Sequence, residues 1–257
     1  MEPLRDKTVF ITGASSGIGA ACAEEFARQG CHLLLCARRE KRVETLAGRL
    51  AREHSIRTHA FHLDVMKNAE VETALGTLPA EWKAIDILVN NAGLSRGLAK
   101  LQEGSVQDWE EMIDTNIKGV LYVTRVVLPW MLERKKGHII TLGSIAGHQM
   151  YPSGNVYCGT KFFVNALSQG LKMDLLGTGI RVCSIEPGLV QTEFSEVRFR
   201  GNRERAAQVY ANTRPLRAED IAEVVIFCAT RPPHVDVSEV IIMPTDQASV
   251  YHLHRAP

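Results

Sequence analysis

Tyr157 and Lys161 stand four residues apart in SGNVYCGTKFFVNA, residues 153–166. On a helix that spacing puts both side chains on one face, where an ammonium can stabilise a phenolate. Free tyrosine ionises near ~10, so a tyrosine that exchanges protons near neutrality needs such help. The same spacing also describes an ordinary surface pair. Gly143-Ser144, closing the preceding apolar run, favours chemistry, because ligands of open α/β sheets gather beyond the carboxyl ends of the strands.

A second constellation lies near the start. The apolar run TVFIT (8–12) leads into Gly13-Ala14-Ser15-Ser16-Gly17-Ile18-Gly19 and then a helical pattern. Glycines at such a turn let the backbone approach a pyrophosphate, take positive φ and pack the helix on the strand. The helix start then offers free N–H groups to phosphate oxygens. The spacing is G-x3-G-x-G rather than G-x-G-x-x-G, so its position in the first strand–turn–helix unit carries the reading.

A third stretch is LLLCARREKR (33–42), where an aliphatic run meets four basic residues. A charge run beside an apolar one is ordinarily a solvated face. Arg38 falls just past the second strand, about 20 residues beyond the glycines, where dinucleotide folds meet the adenosine ribose. No acid appears there until Glu40, so the carboxylate expected of an NAD site is missing. Arginine offers a planar fork to phosphate, so Arg38, with Arg39 in support, predicts NADP. Lys41 and Arg42 read as helix-face charges.

Elements to position these groups are legible as alternation. β-rich runs at 8–12, 32–37, 58–63, 86–90, 138–142, 181–185 and 239–243 are separated by segments of helical periodicity, among them 18–29 and 43–52. Strands apolar at nearly every residue are covered on both faces, and alternation with helices implies right-handed parallel crossovers. The expectation is a single-domain doubly wound α/β Rossmann fold of about seven parallel strands with helices on both faces. The polar stretch 201–213 is either a small helical lid or a surface excursion, and 187–213 as a whole reads as a substrate loop. The tail beyond Pro244 lacks periodicity, so it either packs on a neighbour or is loose.

Composition narrows the classes. Thirty basic against 29 acidic residues give a formal charge of +1, with no basic concentration for nucleic acid. No apolar run approaches the roughly 20 residues of a membrane span, and MEPLRDKTVFITG enters a strand with no signal-peptide core. The expectation is a soluble cytoplasmic protein. Six scattered cysteines without C-x-x-C spacing read as buried thiols of a reducing compartment, not as a metal site.

TGASSGIG (12–19), LDV (63–65), NNAG (90–93), Asn116 in DTNIKG, Ser144, Tyr157-x-x-x-Lys161 and Pro187-Gly188 with Thr192 occur in that order. Jointly they are specific, and along almost its entire length the chain resembles the short-chain dehydrogenase/reductase family. The resemblance implies that Tyr157 is the general acid for carbonyl reduction and the general base for alcohol oxidation. Lys161 would lower its pKa and hold the nicotinamide ribose. Ser144 would bind the reacting oxygen, making Ser144 and Tyr157 the substrate contacts, and Asn116 would interrupt its helix and anchor a water as a proton path.

For the cofactor, the resemblance implies Gly13, Ser15, Ser16, Gly17, Ile18 and Gly19 at the phosphates and Asp64 and Val65 beside the adenine. Asn91, Ala92 and Gly93 would line the adenosine ribose, and Pro187, Gly188, Val190 and Thr192 the nicotinamide end. Many NADP-using members carry a basic residue before the second glycine, where this chain has Ser16, so Arg38 and Arg39 carry the NADP expectation.

LPAEWKAIDILVNNAGLSRG, VQDWEEMIDTNIKGVLYVTRVVLPWM, IEPGLVQTEFSEVRFRG and RPPHVDVSEVIIMPT resemble the NADP-dependent 3-hydroxy acid dehydrogenase branch. That resemblance implies a homotetramer acting on the 3-hydroxyl or 3-oxo group of small acids such as serine, allo-threonine or 3-hydroxyisobutyrate. Arg198 or Arg200 would meet the carboxylate, unless both are surface arginines, and His148, Gln149 and Met150 are candidates for the pocket wall. The rival readings are a broad carbonyl or 3-oxoacyl reductase and an NADP-binding protein without turnover.

Overall fold

The computed structural model describes residues 2–256. Seven parallel strands form one sheet: β1 (Thr8–Thr12), β2 (His32–Ala37), β3 (Thr58–His62), β4 (Ile87–Asn90), β5 (Gly137–Leu142), β6 (Ile180–Pro187) and β7 (Glu239–Ile242), in the order β3-β2-β1-β4-β5-β6-β7. The register runs without slippage through the centre, with Phe10 opposite Leu34 and Leu88. Order reverses between β1 and β4, which opens a crevice at the carboxyl edge.

The helices are α1 (Gly17–Arg28), α2 (Glu40–His54), α3 (Asn68–Gly76), α4 (Ala80–Lys83), α5 (Val106–Ile113), α6 (Val120–Arg134), α7 (Asn155–Asp174), α8 (Phe194–Arg198), α9 (Arg203–Tyr210) and α10 (Ala218–Ala229). Strand side chains alternate between two cores. Val9, Ile11, Leu33 and Leu35 pack with Phe26 of α1 and Val225 of α10, whereas Phe10, Leu34 and Leu88 pack with Leu75 of α3 and Val127 of α6. The central strands thus meet helices on both faces, and for this reason they are apolar nearly throughout, whereas the edge strands β3 and β7 are partly exposed. All six cysteines are free and buried. No helix among the described residues is long and apolar enough to cross a membrane.

Two irregular segments take definite form. Residues 194–210 form the short helices α8 and α9, and the Tyr210 hydroxyl ties α9 to the Val190 carbonyl at 3.1 Å and Ser195 Oγ at 2.7 Å. The tail is tied to its own chain. Gln247 Oε1 accepts the Leu189 N–H at 2.7 Å, Asp246 Oδ2 accepts the Arg214 N–H at 2.9 Å, and the Ala256 N–H reaches the Asn212 carbonyl at 2.8 Å. Periodicity was blind to this because the contacts belong to one irregular strand of chain lying on another.

The glycine turn shows which glycines the fold needs. Gly13 and Gly17 take φ of +67° and +56°. At Gly19 a Cβ would fall 2.6 Å from the Gly13 carbonyl oxygen and press on Asn91 Nδ2, so Gly19 serves helix–strand approach. Gly19→Ala is expected to cost about 1–3 kcal/mol in denaturant unfolding. Gly48→Ala in α2, where the new Cβ would meet only Arg52 Nη1 at 3.6 Å, is expected to gain about 0.5–1 kcal/mol. Equal effects at the two sites would contradict the packing role of Gly19.

Candidate active site

A cleft of about 1060 Å³ runs along the carboxyl edge of the sheet. At one end the glycine turn is braced from β4: Asn91 Nδ2 donates to the Thr12 and Gly13 carbonyls at 2.8 and 3.2 Å, and the Asn91 and Ala92 N–H groups reach Thr12 Oγ1 at 3.1 and 3.0 Å. Gly13, Ser15, Ser16, Gly17 and Ile18 line the cleft beside Asp64 and Val65, with Gly93 beyond them. Positive φ and close backbone approach at Gly13 leave room for a pyrophosphate, so these residues fit a dinucleotide.

Arg38, Arg39 and Arg42 all line this end, which corrects the assignment of Arg42 to plain helix surface. Arg39 bonds Ser15 Oγ and Ser16 Oγ, and both Arg39 and Arg42 pair with Glu193. Arg38 makes no hydrogen bond or ion pair among the described residues. Helical geometry explains the correction: Arg42 sits one turn after Arg39, on the same side of α2.

At the other end Ser144 follows β5. Its N–H donates to Glu186, a carboxylate fully buried on β6 that also accepts the Ser184 hydroxyl proton. Burial pushes the Glu186 carboxyl up, against the opposing pull of Ser184, Ser144, Lys161 and His148. A side chain at Gly143 would collide with that carboxylate. Ser144 Oγ lies 3.4 Å from the Pro187 carbonyl, and Pro187, Gly188, Val190 and Thr192 continue the wall.

Tyr157 and Lys161, both buried on α7, enter the same cleft. The expected depression of the Tyr157 pKa is not what this site does. Burial pushes the phenol well up, Tyr151 adds to the rise, and Arg198 and Ser144 pull the other way. Lys161 Nζ donates to the Leu142 carbonyl at 2.8 Å. Burial lowers Lys161 from 10.5 to about 8, with Glu186 opposing. The site therefore presents a neutral phenol, a serine hydroxyl and a buried amine, a set able to protonate a carbonyl oxygen.

Asn116 and Gly19 do not line the cleft. Asn116 lies in a π-helical turn, Asp114–Gly119, between α5 and α6, as an interrupted helix requires. Its side chain is spent on protein: Oδ1 accepts the Leu94 N–H at 2.9 Å, and Nδ2 donates to the Leu94 carbonyl at 2.8 Å and to Thr160 Oγ1 at 3.0 Å. It braces the β4–α5 connection, and the main chain of the π turn is what remains to bind solvent.

The two arginines weighed for the substrate carboxylate, Arg198 and Arg200, both line the cleft but differ in their partners. Arg200 is tied to Asp108 and Glu111. The Arg198 guanidinium lies 5.4 Å from the Tyr157 ring centre and 5.2 Å from that of Phe194, donates to the Tyr151 hydroxyl at 3.1 Å, and leaves a buried Nε without a partner among the described residues. His148, Gln149 and Met150 are absent from the cleft wall. His148 Nε2 turns toward Glu239 at 3.3 Å, and Gln149 Oε1 accepts the Val250 N–H at 3.2 Å. Sequence reading passed over Glu186 and Glu193. For Glu186 a signal existed, an acid directly following the strand run RVCSI.

The chain matches the family model for the short chain dehydrogenases over residues 7–203. It is 47% identical over 249 residues to an NADP-dependent 3-hydroxy acid dehydrogenase of Escherichia coli (strain K12), covering 96% of this chain and 99% of that protein. It is 40% identical over 256 residues to an NADP-dependent 3-hydroxy acid dehydrogenase of Schizosaccharomyces pombe, with 99% of each covered. Among solved structures, the closed form of a serine dehydrogenase complexed with NADP+ superposes with a TM-score of 0.90 at 45% identity, over 97% of this chain and 100% of the other.

The environment of Lys161 has a measurable consequence. Burial disfavours its ammonium, so unfolding takes up a proton between about 8 and the ordinary 10.5, and stability from this residue rises with pH across that window. Lys161→Met is expected to remove this part of the pH dependence, read by comparing denaturant unfolding of the two proteins at about pH 7.5 and about pH 10. Parallel slopes would assign Lys161 an ordinary pKa.

Proposed function

The chain belongs to the short chain dehydrogenase family, and from that premise we propose an NADP-dependent oxidoreductase acting on the 3-hydroxyl or 3-oxo group of small hydroxy acids, serine, allo-threonine and 3-hydroxyisobutyrate among them. The observation that carries the substrate class is Arg198. A guanidinium with an unsatisfied buried N–H, poised over the ring of Tyr157, suits a carboxylate two carbons from the reacting oxygen. The names of the similar proteins support the same class.

When bound, the nicotinamide supplies or accepts the hydride. Tyr157, held neutral by burial, donates its phenolic proton to the carbonyl oxygen in reduction and takes it back in oxidation. Ser144, held through its N–H by Glu186, directs its hydroxyl at that oxygen. The buried Lys161 amine stabilises the phenolate left behind and is available to ribose hydroxyls. Asn116 positions Leu94 and Thr160 around the site. Arg38, Arg39 and Arg42 supply the cationic seat for a 2′-phosphate. Residues 187–213, with α8 and α9, serve as the substrate loop, and the tail from residue 244 braces it. A homotetramer accords with apolar side chains left in solvent on α7 (Phe162, Met173) and at β7 and α10 (Ile241, Phe227).

Steady-state rates on serine, allo-threonine, 3-hydroxyisobutyrate and simple secondary alcohols, with NADP and NAD in parallel, test the assignment. Activity confined to alcohols without a carboxylate would reject it. Tyr157→Phe is expected to lower kcat by about 10²- to 10⁴-fold. Arg198→Leu is expected to raise KM for the hydroxy acids by about 10-fold or more, because a charged hydrogen bond is lost. Arg200→Leu is expected to leave that KM within about two-fold, since its guanidinium is already committed to Asp108 and Glu111. Equal effects of the two arginine replacements would remove Arg198 from the pocket.

A further inference from the structure

Glu193 follows Thr192 and leads into α8. Its carboxylate bridges two guanidinium groups at the start of α2: Arg39 Nη1 donates to Oε2 at 2.6 Å, and Arg42 Nη1 donates to Oε1 at 2.8 Å. The opposite edge of the Arg39 guanidinium meets the glycine turn, with Nη2 3.0 Å from Ser15 Oγ and 2.6 Å from Ser16 Oγ. All five side chains line the cofactor end of the cleft. Two guanidinium forks converging beside two hydroxyls form a seat for an anion with several oxygens, and a carboxylate of the chain itself takes its oxygen positions. The arginines hold the Glu193 carboxyl below its ordinary value, so it is a full anion at neutral pH.

Resting on the reading that the cofactor is NADP, we propose that Glu193 is an internal competitor for the 2′-phosphate seat and so sets the enzyme's discrimination between NADP and NAD. Two anions on one pair of arginines repel, so a 2′-phosphate must displace the carboxylate. The apparent affinity for NADP then falls by the fraction of molecules in which the seat is already filled. A cofactor without the 2′-phosphate leaves both ion pairs in place and bears no such penalty. Glu193 therefore narrows a preference that the arginines alone would make wider. The side chains of Glu193 and Arg39 are each 40% exposed, so solvent screening limits the size of the effect.

Adenosine 2′-monophosphate and adenosine 5′-monophosphate probe the seat without reaching the nicotinamide end. Calorimetric titration of the full-length parent and of Glu193→Gln with both nucleotides, and with NADP and NAD, tests the proposal. Glu193→Gln is expected to bind NADP and the 2′-monophosphate about three-fold or more tighter, with NAD and the 5′-monophosphate unchanged within about two-fold. Unchanged or weaker binding of NADP and the 2′-monophosphate by the variant overturns the competition. Equal weakening of NADP and NAD overturns it in favour of a carboxylate that straps the cofactor in place. A parent that binds NADP no better than NAD overturns the assigned cofactor instead, and that result is independent of the variant.

Discussion

One buried carboxylate organises the reactive end of this molecule. Glu186 has no access to solvent, and a charge in that position persists only if neighbours satisfy it. The Ser144 N–H and Ser184 hydroxyl do so by hydrogen bonds, and the buried Lys161 does so by charge. Each solution constrains something further. Gly143 must lack a side chain, Ser144 must hold its extended conformation at the end of β5, and Lys161 must point inward from α7. Removing the carboxylate would take away the negative charge that opposes the effect of burial on Lys161, while its bond to the Leu142 carbonyl would remain.

The two ends of the cleft are joined through one short segment. Glu193 reaches back to the arginines at the adenosine end, while Phe194 and Arg198, on the next turn, close over Tyr157. The tail fixes the same segment from outside through Gln247 and Asp246. The groups at the two ends of the cleft are therefore close in the chain, an arrangement common where loops complete a site on a rigid sheet.

Much of the architecture was legible because it follows from local pattern. β1 and β2 fall where their sequences predict, since a strand covered on both faces has a continuous apolar centre. β6 extends past its predicted run at both ends, to Ile180 and Pro187, and at the later end this is because Glu186 reads as a break until its partners are known. The glycine turn and the Tyr157–Lys161 pair are likewise local, set by φ and by helical spacing. The sense of the Tyr157 shift was not legible, because it depends on how completely the surrounding chain excludes water.

From the residues alone came the doubly wound sheet and the sequence of its elements, encoded in local pattern, while the roles expected of Ser144, Tyr157 and Lys161 came from resemblance to a family. Tertiary structure decided which charges meet. It separated Arg198 from Arg200, drew Arg42 into the cofactor end, set the tail on its own chain and carried Glu193 across 154 positions to Arg39. Electrostatics and burial act over distances in space, and a distance in space between residues far apart in the chain exists only once the sheet has brought them together.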